Sequence, residues 1–282
     1  MDSLKAAYTG GTLLTVLKVS ERCNIACDYC YFFFAGDESY QQHPALVKQN
    51  TLEDLVLFFQ KGIAEFNLSQ IRIILHGGEP MLMGKERFDA MCSLFSERLA
   101  EQVTLLLSMQ TNAMLVDEEW IALFDKHQVA IGVSLDGPRE INDRHRIDKR
   151  GRGTYDRTVQ GIRCLQAAIV DDRLSPIGLL CVVDPANSAS ELYQHFVHDL
   201  GFETMDFMLP DINYETAPEN LSGYQDFMLE LFDAWLHDNN PKVNIRFFNK
   251  ILNALGQREV GRLRLNNLQS KRPIVLTISS GG

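Results

Sequence analysis

Long apolar runs are missing from this chain of 282 residues. None reaches the roughly 18 residues that a helix needs to cross a bilayer, so no membrane partner is expected. Basic charge is also scarce: 27 Lys and Arg stand against 37 Asp and Glu, a formal net charge of −10. A nucleic-acid surface needs a clustered cationic excess to neutralise phosphates, so no nucleic acid is expected either. A partner with basic patches, such as a cationic peptide, fits the charge. The opening MDSLKAAYTGG lacks the charged-then-apolar order of a signal peptide. The expectation is a cytoplasmic protein, whose thiols stay reduced and where disulfides explain little. After Cys181 the sequence contains no cysteine at all.

What is present is an ordinary globular composition, 45% hydrophobic and 23% charged. Apolar, β-branched runs at 13–20, 71–76, 103–109, 130–135, 176–183 and 204–209 alternate with helical periodicity near 51–66, 85–100, 117–127, 154–168 and 188–200. Thr51 and Asp117 each precede an acidic first turn and read as helix caps. Strands alternating with helices predict parallel βα units. The expected fold is therefore α/β, a partial (β/α)6 TIM-like barrel with function at the carboxyl ends of its strands. Past Leu209 a turn-rich stretch leads to helical segments at 224–237 and 245–255 and a last strand at 274–279. The expected division is a barrel over 1–240 and an incomplete helical and strand extension over 241–282, a piece of a longer protein.

Three of the six cysteines crowd into Cys23-Asn-Ile-Ala-Cys27-Asp-Tyr-Cys30, directly after the first predicted strand. Cys92, Cys164 and Cys181 each sit in an apolar run and read as small buried hydrophobes. A structural zinc wants four ligands, and His43 lies well beyond Cys30. A [4Fe–4S] cluster is usually held by four thiolates; three leave one iron open to a ligand. The alternative on spacing alone is a zinc knuckle completed by a distant His, a binding module without catalysis.

The spacing C-x3-C-x-aromatic-C, with Tyr29 as the aromatic, resembles the signature of the radical S-adenosylmethionine (SAM) superfamily. The resemblance implies a [4Fe–4S] cluster on Cys23, Cys27 and Cys30, with SAM on the open iron. One electron then yields a 5′-deoxyadenosyl radical that takes hydrogen from an unactivated C–H bond.

Further segments resemble the same family in the same order. His76-Gly-Gly-Glu-Pro80 ends the second predicted strand, and the resemblance gives Gly77, Gly78 and Glu79 to the methionyl amine. Asn112, in Gln-Thr-Asn, is implied near the cofactor; Ala113 stands where the family has Gly, which reads as a relaxed need for positive φ. Ser134, in Val-Ser-Leu-Asp-Gly-Pro, is implied to hold the cofactor. Arg146 is the choice for the methionine carboxylate, with Arg144 as the alternative. Leu209 is implied against the adenine. Phe32 either stacks there or packs with Phe33 and Phe34.

The wording is most similar to SPASM-type peptide and protein maturases. It is nearer to those that cross-link aromatic rings to β-carbons in ribosomally made precursor peptides (cyclophane formers) than to anaerobic sulfatase maturases, which make formylglycine. The latter carry auxiliary-cluster cysteines in the region equivalent to 256–275, where this chain has none. The implied partners are a precursor peptide and an electron donor of flavodoxin or ferredoxin type. A catalytic base is not legible: Asp136 and Asp211 lie near predicted strand ends, where a turn carboxylate is the plainer reading.

Overall fold

In the computed structural model the described residues are 11–33, 38–210, 221–259 and 274–282. Strand β1 (Thr12–Ser20) buries Leu13, Leu17 and Val19 and leaves Leu14, Val16 and Lys18 half covered on the other face, the alternation of a pleated strand. There follow β2 (Ile25–Cys27), α1 (Gln49–Phe66), β3 (Gln70–Gly77), α2 (Lys85–Leu99), β4 (Thr104–Thr111) and α3 (Glu118–Lys126). Next come β5 (Ala130–Ser134), α4 (Arg139–His145), β6 (Arg146–Asp148), α5 (Tyr155–Val170) and β7 (Gly178–Val182). Helix α6 (Ala189–Gln194) continues as a π turn (His195–Asp199) into β8 (Thr204–Met208). The order ends with α7 (Leu221–Asp238), β9 (Asn244–Ile245), α8 (Arg246–Glu259) and β10 (Ile274–Ile278).

Eight strands form one parallel sheet in the order β10-β1-β3-β4-β5-β7-β8-β9. Its six central strands are the six expected, in chain order. The sheet is open, with β10 at one edge and β9 at the other. The stretch after 240 thus extends both edges of the same sheet: β10 lies along β1 from Leu13↔Ile274 to Leu17↔Ile278, and β9 lies along β8.

The core lies between the sheet and its helices. Helix α1 presents Leu52, Leu55, Val56 and Phe59, and α2 presents Phe88, Met91, Cys92 and Phe95. Both stripes have the three-and-four spacing of one helical face. They close on Ile71, Ile73 and Leu75 of β3. Phe59, Phe88, Phe95 and Phe124 are fully buried, and truncating any one to Ala costs about 3–5 kcal/mol. Asp117 caps α3, accepting from the Trp120 amide at 2.9 Å. Thr51 does not cap α1. That helix starts at Gln49, with Lys48 extended before it and no side-chain cap. The chain is held to β1 by the Val47 amide on the Val19 carbonyl (3.0 Å) and turns helical straight after that bond. Among the described residues no helix is long and apolar enough to cross a membrane.

The face of the sheet away from the helices is concave and only partly covered. His76, Gln110, Ser134, Val182 and Met208 project from it near the carboxyl ends of five strands, and all five line one cavity.

Candidate active site

That cavity has a volume of about 510 Å³, within the range that holds a drug-sized ligand. Cys23, Cys27, Tyr29, Cys30 and Phe32 line one side, Gly77, Gly78 and Asn112 the next, and Ser134, Asp136, Arg146 and Leu209 the rest. Every expected site residue among those described therefore reaches this wall, except Glu79. Asp211 lies outside the described residues.

The cysteine loop is pinned by a two-stranded antiparallel pair that the sequence pattern did not reveal. β2 runs against β6 with Cys27 opposite Arg146 and Ile25 opposite Asp148. Three residues are too short to show periodicity, and the partner lies more than 100 residues away. This pairing separates the two candidate arginines. Arg146 is buried, with its Nη1 donating to the Tyr29 hydroxyl at 2.8 Å. Arg144 points outward, half exposed, and donates to Asn187 at 3.2 Å.

The Tyr29 hydroxyl in turn donates to Asp136, whose other oxygen accepts the Val182 amide at 3.1 Å. Burial opposes the charge on Arg146, but Tyr29, Cys27 and Asp136 outweigh it and hold the guanidinium above its usual pKa. Its buried Nε has no protein partner. Burial pushes the Tyr29 phenol well above its usual range. It also raises the Cys23 thiol to about 12 and lifts Cys27.

The Gly77-Gly78 turn is tight against the end of β1 and the start of the cysteine loop, and it lines the cavity. A Cβ on Gly77 would lie 2.1 Å from the Ser20 carbonyl oxygen, and one on Gly78 2.4 Å from that of Arg22. The Gly78 and Glu79 amides donate to those same carbonyls at 2.9 and 2.8 Å. So the glycines bring the end of β3 under the start of the cysteine loop.

Glu79 is 1% exposed and does not line the cavity. One carboxylate oxygen accepts the Met81 amide (3.1 Å) and the Thr111 hydroxyl (2.8 Å); the other accepts the Asn112 amide (2.8 Å). Burial raises its pKa against the pull of these donors. The side chain ties the end of β3 to the end of β4.

Asn112 is set from three directions. Its Nδ2 donates to Asn24 at 2.7 Å, its Oδ1 accepts the Met114 amide at 3.1 Å, and its carbonyl accepts the Thr158 hydroxyl at 3.1 Å. Ala113 beside it has φ +58°. The positive φ expected to be relaxed is therefore retained, and an alanine carries it, because the turn is locked by the Ala113 amide on Thr111 and the Met114 amide on Asn112. Ser134 accepts from Gln110 at 2.9 Å. Phe32 packs with Phe33, one part of its expected alternatives; Phe34 lies outside the described residues. The Phe32 ring packs edge-on against Phe33 (4.7 Å) under the Lys18 ammonium (3.9 Å), and it also lines the cavity. Asn24, His76 and Gln110 are neighbours of the motifs that had been given no role. Their signal was adjacency to a cysteine, to Gly77 and to Asn112.

The donor set suits an iron–sulfur cluster in chemistry and place: three thiols on one loop, a buried guanidinium beside them, and a cavity that reaches both. Among the described residues no three potential ligands already stand together as a formed metal site. A second cavity of about 410 Å³ adjoins the first, sharing Tyr29, Asp136, Val182 and Pro210.

Residues 17–192 match the Radical SAM superfamily. The cysteine-type anaerobic sulfatase-maturating enzyme of Clostridium perfringens is 27% identical over 252 residues, 86% of this chain and 65% of the relative. The serine-type enzyme of Klebsiella aerogenes is 33% identical over 193 residues, 67% of this chain and 44% of the relative. The chain thus spans about two thirds of the first relative's length and less of the second's. Among solved structures, anSMEcpe with bound AdoMet superposes at a TM-score of 0.73 with 27% identity, covering 86% of this chain and 66% of that one. The same protein with AdoMet and the Cp18Cys peptide gives 0.73 at 26%. A cysteine loop, a glycine turn and a buried arginine around one cavity at the strand ends, within a matched span of well over half the sequence, make this chain a member of the radical SAM superfamily.

Proposed function

We propose that this chain binds one [4Fe–4S] cluster through Cys23, Cys27 and Cys30, and SAM in the adjoining cavity, and removes a hydrogen atom from a side chain of a peptide or protein. The observation that carries the reading is Arg146: a buried guanidinium with an unpaired Nε, opposite Cys27 on the wall of a ligand-sized cavity. When bound, the reduced cluster supplies the electron that cleaves SAM to its 5′-deoxyadenosyl radical. The chain's own residues bind and orient. Arg146 takes the methionine carboxylate. Gly77, Gly78, Asn112 and Ser134 hold the polar parts of SAM, and Phe32 and Leu209 lie against the adenine. Tyr29 and Asp136 hold Arg146 in place. Glu79 acts one step back from SAM, by holding the Asn112 turn. The second cavity leaves room for a substrate side chain beside the first.

A structural zinc or iron–sulfur module would have no use for a buried cation with a free donor. Two finer products remain within the maturase reading. The sulfatase-maturating relatives favour oxidation of a Cys or Ser side chain in a protein. The stretch 256–275, where the resemblance to sulfatase maturases would place auxiliary-cluster cysteines, carries none, and that favours cross-linking in a ribosomally made precursor peptide, fed by a flavodoxin- or ferredoxin-type donor in the cytoplasm.

The test is anaerobic reconstitution with iron and sulfide, then reduction with SAM and two peptides, one carrying a sulfatase-type Cys or Ser and one an aromatic residue. Mass spectrometry reads deoxyadenosine and product. Arg146→Ala should weaken SAM binding roughly tenfold or more, the loss of a charge-assisted contact of about 1.5–3 kcal/mol, and Arg144→Ala should not. Equal losses in both variants would remove Arg146 from the assignment. Wild-type chain that holds iron yet releases no deoxyadenosine would overturn the reading.

A further inference from the structure

We infer that the hairpin turn at 149–152, with Arg157 beside it, is the docking surface for an acidic protein that carries single electrons on a flavin or an iron–sulfur centre. The inference rests on the functional reading above, which needs such an electron.

In that step the carrier is oxidised by one electron, which reduces the cluster; no bond forms or breaks, and no proton moves. Tunnelling weakens steeply with distance, so the carrier must seat close to the thiols. The chain as a whole opposes an acidic partner, at a formal net charge of −10. Approach is favoured only where cations gather locally. Electron-transfer encounters bury little area, so a few charges set their rate and salt dependence.

The turn is joined to the cysteine loop through the β2–β6 pair. Ile25 stands opposite Asp148, so the chain leaving β6 turns back beside the residues that follow Cys23. The Gly151 amide closes the turn on the Asp148 carbonyl (2.9 Å), and the Asp148 amide reaches the Arg152 carbonyl (2.8 Å). The Asp148 carboxylate braces it from inside. One oxygen accepts the Arg150 and Arg152 amides (2.8 and 3.0 Å), the other Arg152 Nε (2.8 Å). Lys149 and Arg150 are thus held at the backbone and exposed to solvent. The two acids nearest in sequence are already engaged, Asp148 with Arg152 (2.6 Å) and Asp156 with Arg139. Asp28, on the cysteine loop, faces His145 (3.0 Å). Among the described residues no carboxylate pairs with Lys149, Arg150 or Arg157.

Arg157 brings this charge up to the thiols. Its Nη2 donates to the Met114 carbonyl at 3.5 Å. Met114 packs with Ile25 and Cys27, and Cys23, Tyr29 and Cys30 pack against them. Neither the three cations nor Met114 line the two cavities at the strand ends, so a carrier seated here leaves SAM and the substrate their room. A cationic loop on an acidic protein is ordinarily a solvated one. Here unpaired charge, a braced turn and contact with the thiols coincide.

The experiment compares reconstituted wild type with Lys149→Glu/Arg150→Glu and with Lys61→Glu/Arg98→Glu, an equal change of charge at exposed positions late in α1 and α2. Binding of a purified flavodoxin is titrated on each at about 0.1 M and about 1 M salt. Deoxyadenosine release driven by flavodoxin is then set against release driven by dithionite, which needs no docking. The turn variant should bind flavodoxin roughly 10-fold more weakly at the lower salt, and the gap should close at the higher, where screening acts within about 3 Å. The helix variant should stay within about twofold of wild type, because charges beyond a Debye length are screened. Dithionite-driven release should be the same in all three. Equal weakening in both variants, or none in the turn variant, overturns the docking surface while dithionite-driven release keeps the functional reading intact. A wild type that releases no deoxyadenosine with dithionite defeats the functional reading instead. The titration needs no turnover and still decides whether the turn binds the carrier. If the turn variant loses iron, Lys149→Gln/Arg150→Gln takes its place, with a smaller loss in the same direction expected and no loss overturning the inference.

Discussion

Ala113 shows how a single residue can carry a backbone demand against its preference. A left-handed conformation costs an alanine about 1–2 kcal/mol, and this alanine sits at φ +58° with no exposed surface. Glycine would relieve the strain but give up a buried methyl, worth about 0.8 kcal/mol. The two nearly cancel. Ala113→Gly should therefore stay within about 1 kcal/mol of wild type by urea unfolding. Ala113→Val, β-branched at positive φ in a filled site, should cost about 3 kcal/mol or more. A valine variant as stable as wild type would show that the turn is softer than its three hydrogen bonds imply.

At the scale of elements, helix α5 decides where Asn112 stands. A Cβ on Gly161 would fall 2.0 Å from the Ala113 carbonyl oxygen, a backbone atom that cannot swing aside. Gly161→Ala should push the helix from the turn, cost about 1–3 kcal/mol, and lower SAM affinity by moving Asn112. Gly62 in α1 is the control. Its added Cβ would meet only Leu68 Cδ1 at 3.6 Å, so Gly62→Ala should gain about 0.5–1 kcal/mol through helix propensity. Thermal melts of the two variants should move in opposite directions. Equal shifts of one sign would mean that packing at Gly161 had been overstated.

For the whole molecule, acid stability depends on how the late helices are tied to the barrel. Glu230 of α7 accepts from Ser188 Oγ (2.7 Å), Ser190 N (2.9 Å) and Ser190 Oγ (2.6 Å) at the start of α6. The Ser190 side chain first, and Ser188 with the backbone amides besides, lower its pKa from the usual 4.5 to about 2, against a smaller opposing effect of burial. Because the folded value is the lower one, the carboxylate contributes stability fully above the unfolded pKa. That contribution disappears as pH falls from about 4.5 to about 2. Glu230→Gln should thus melt earlier than wild type at pH 7, with the gap closing across that window. A gap that persists at the acid end would assign the effect to shape rather than charge.

The sequence by itself determined what depends on neighbours along the chain. Period-two and period-three-and-four apolar spacing specified the six central strands and their helices, because burial rewards one face of each element whatever it packs against. The three cysteines, the glycine turn and Arg146 were legible for a related reason: each motif is a few consecutive residues at a strand end, and parallel α/β topology brings strand ends together. Tertiary structure alone decided matters that turn on distant partners. The β2–β6 pairing buries Arg146 opposite Cys27 and leaves Arg144 half exposed. The carbonyls of Ser20 and Arg22 leave no room for a side chain at Gly77 and Gly78. Three donors from the ends of β3 and β4 engage both oxygens of the Glu79 carboxylate. A side chain's direction is set by which hydrogen bonds are within about 3 Å of it once the chain has folded, and a buried polar group is held by the partners it finds there.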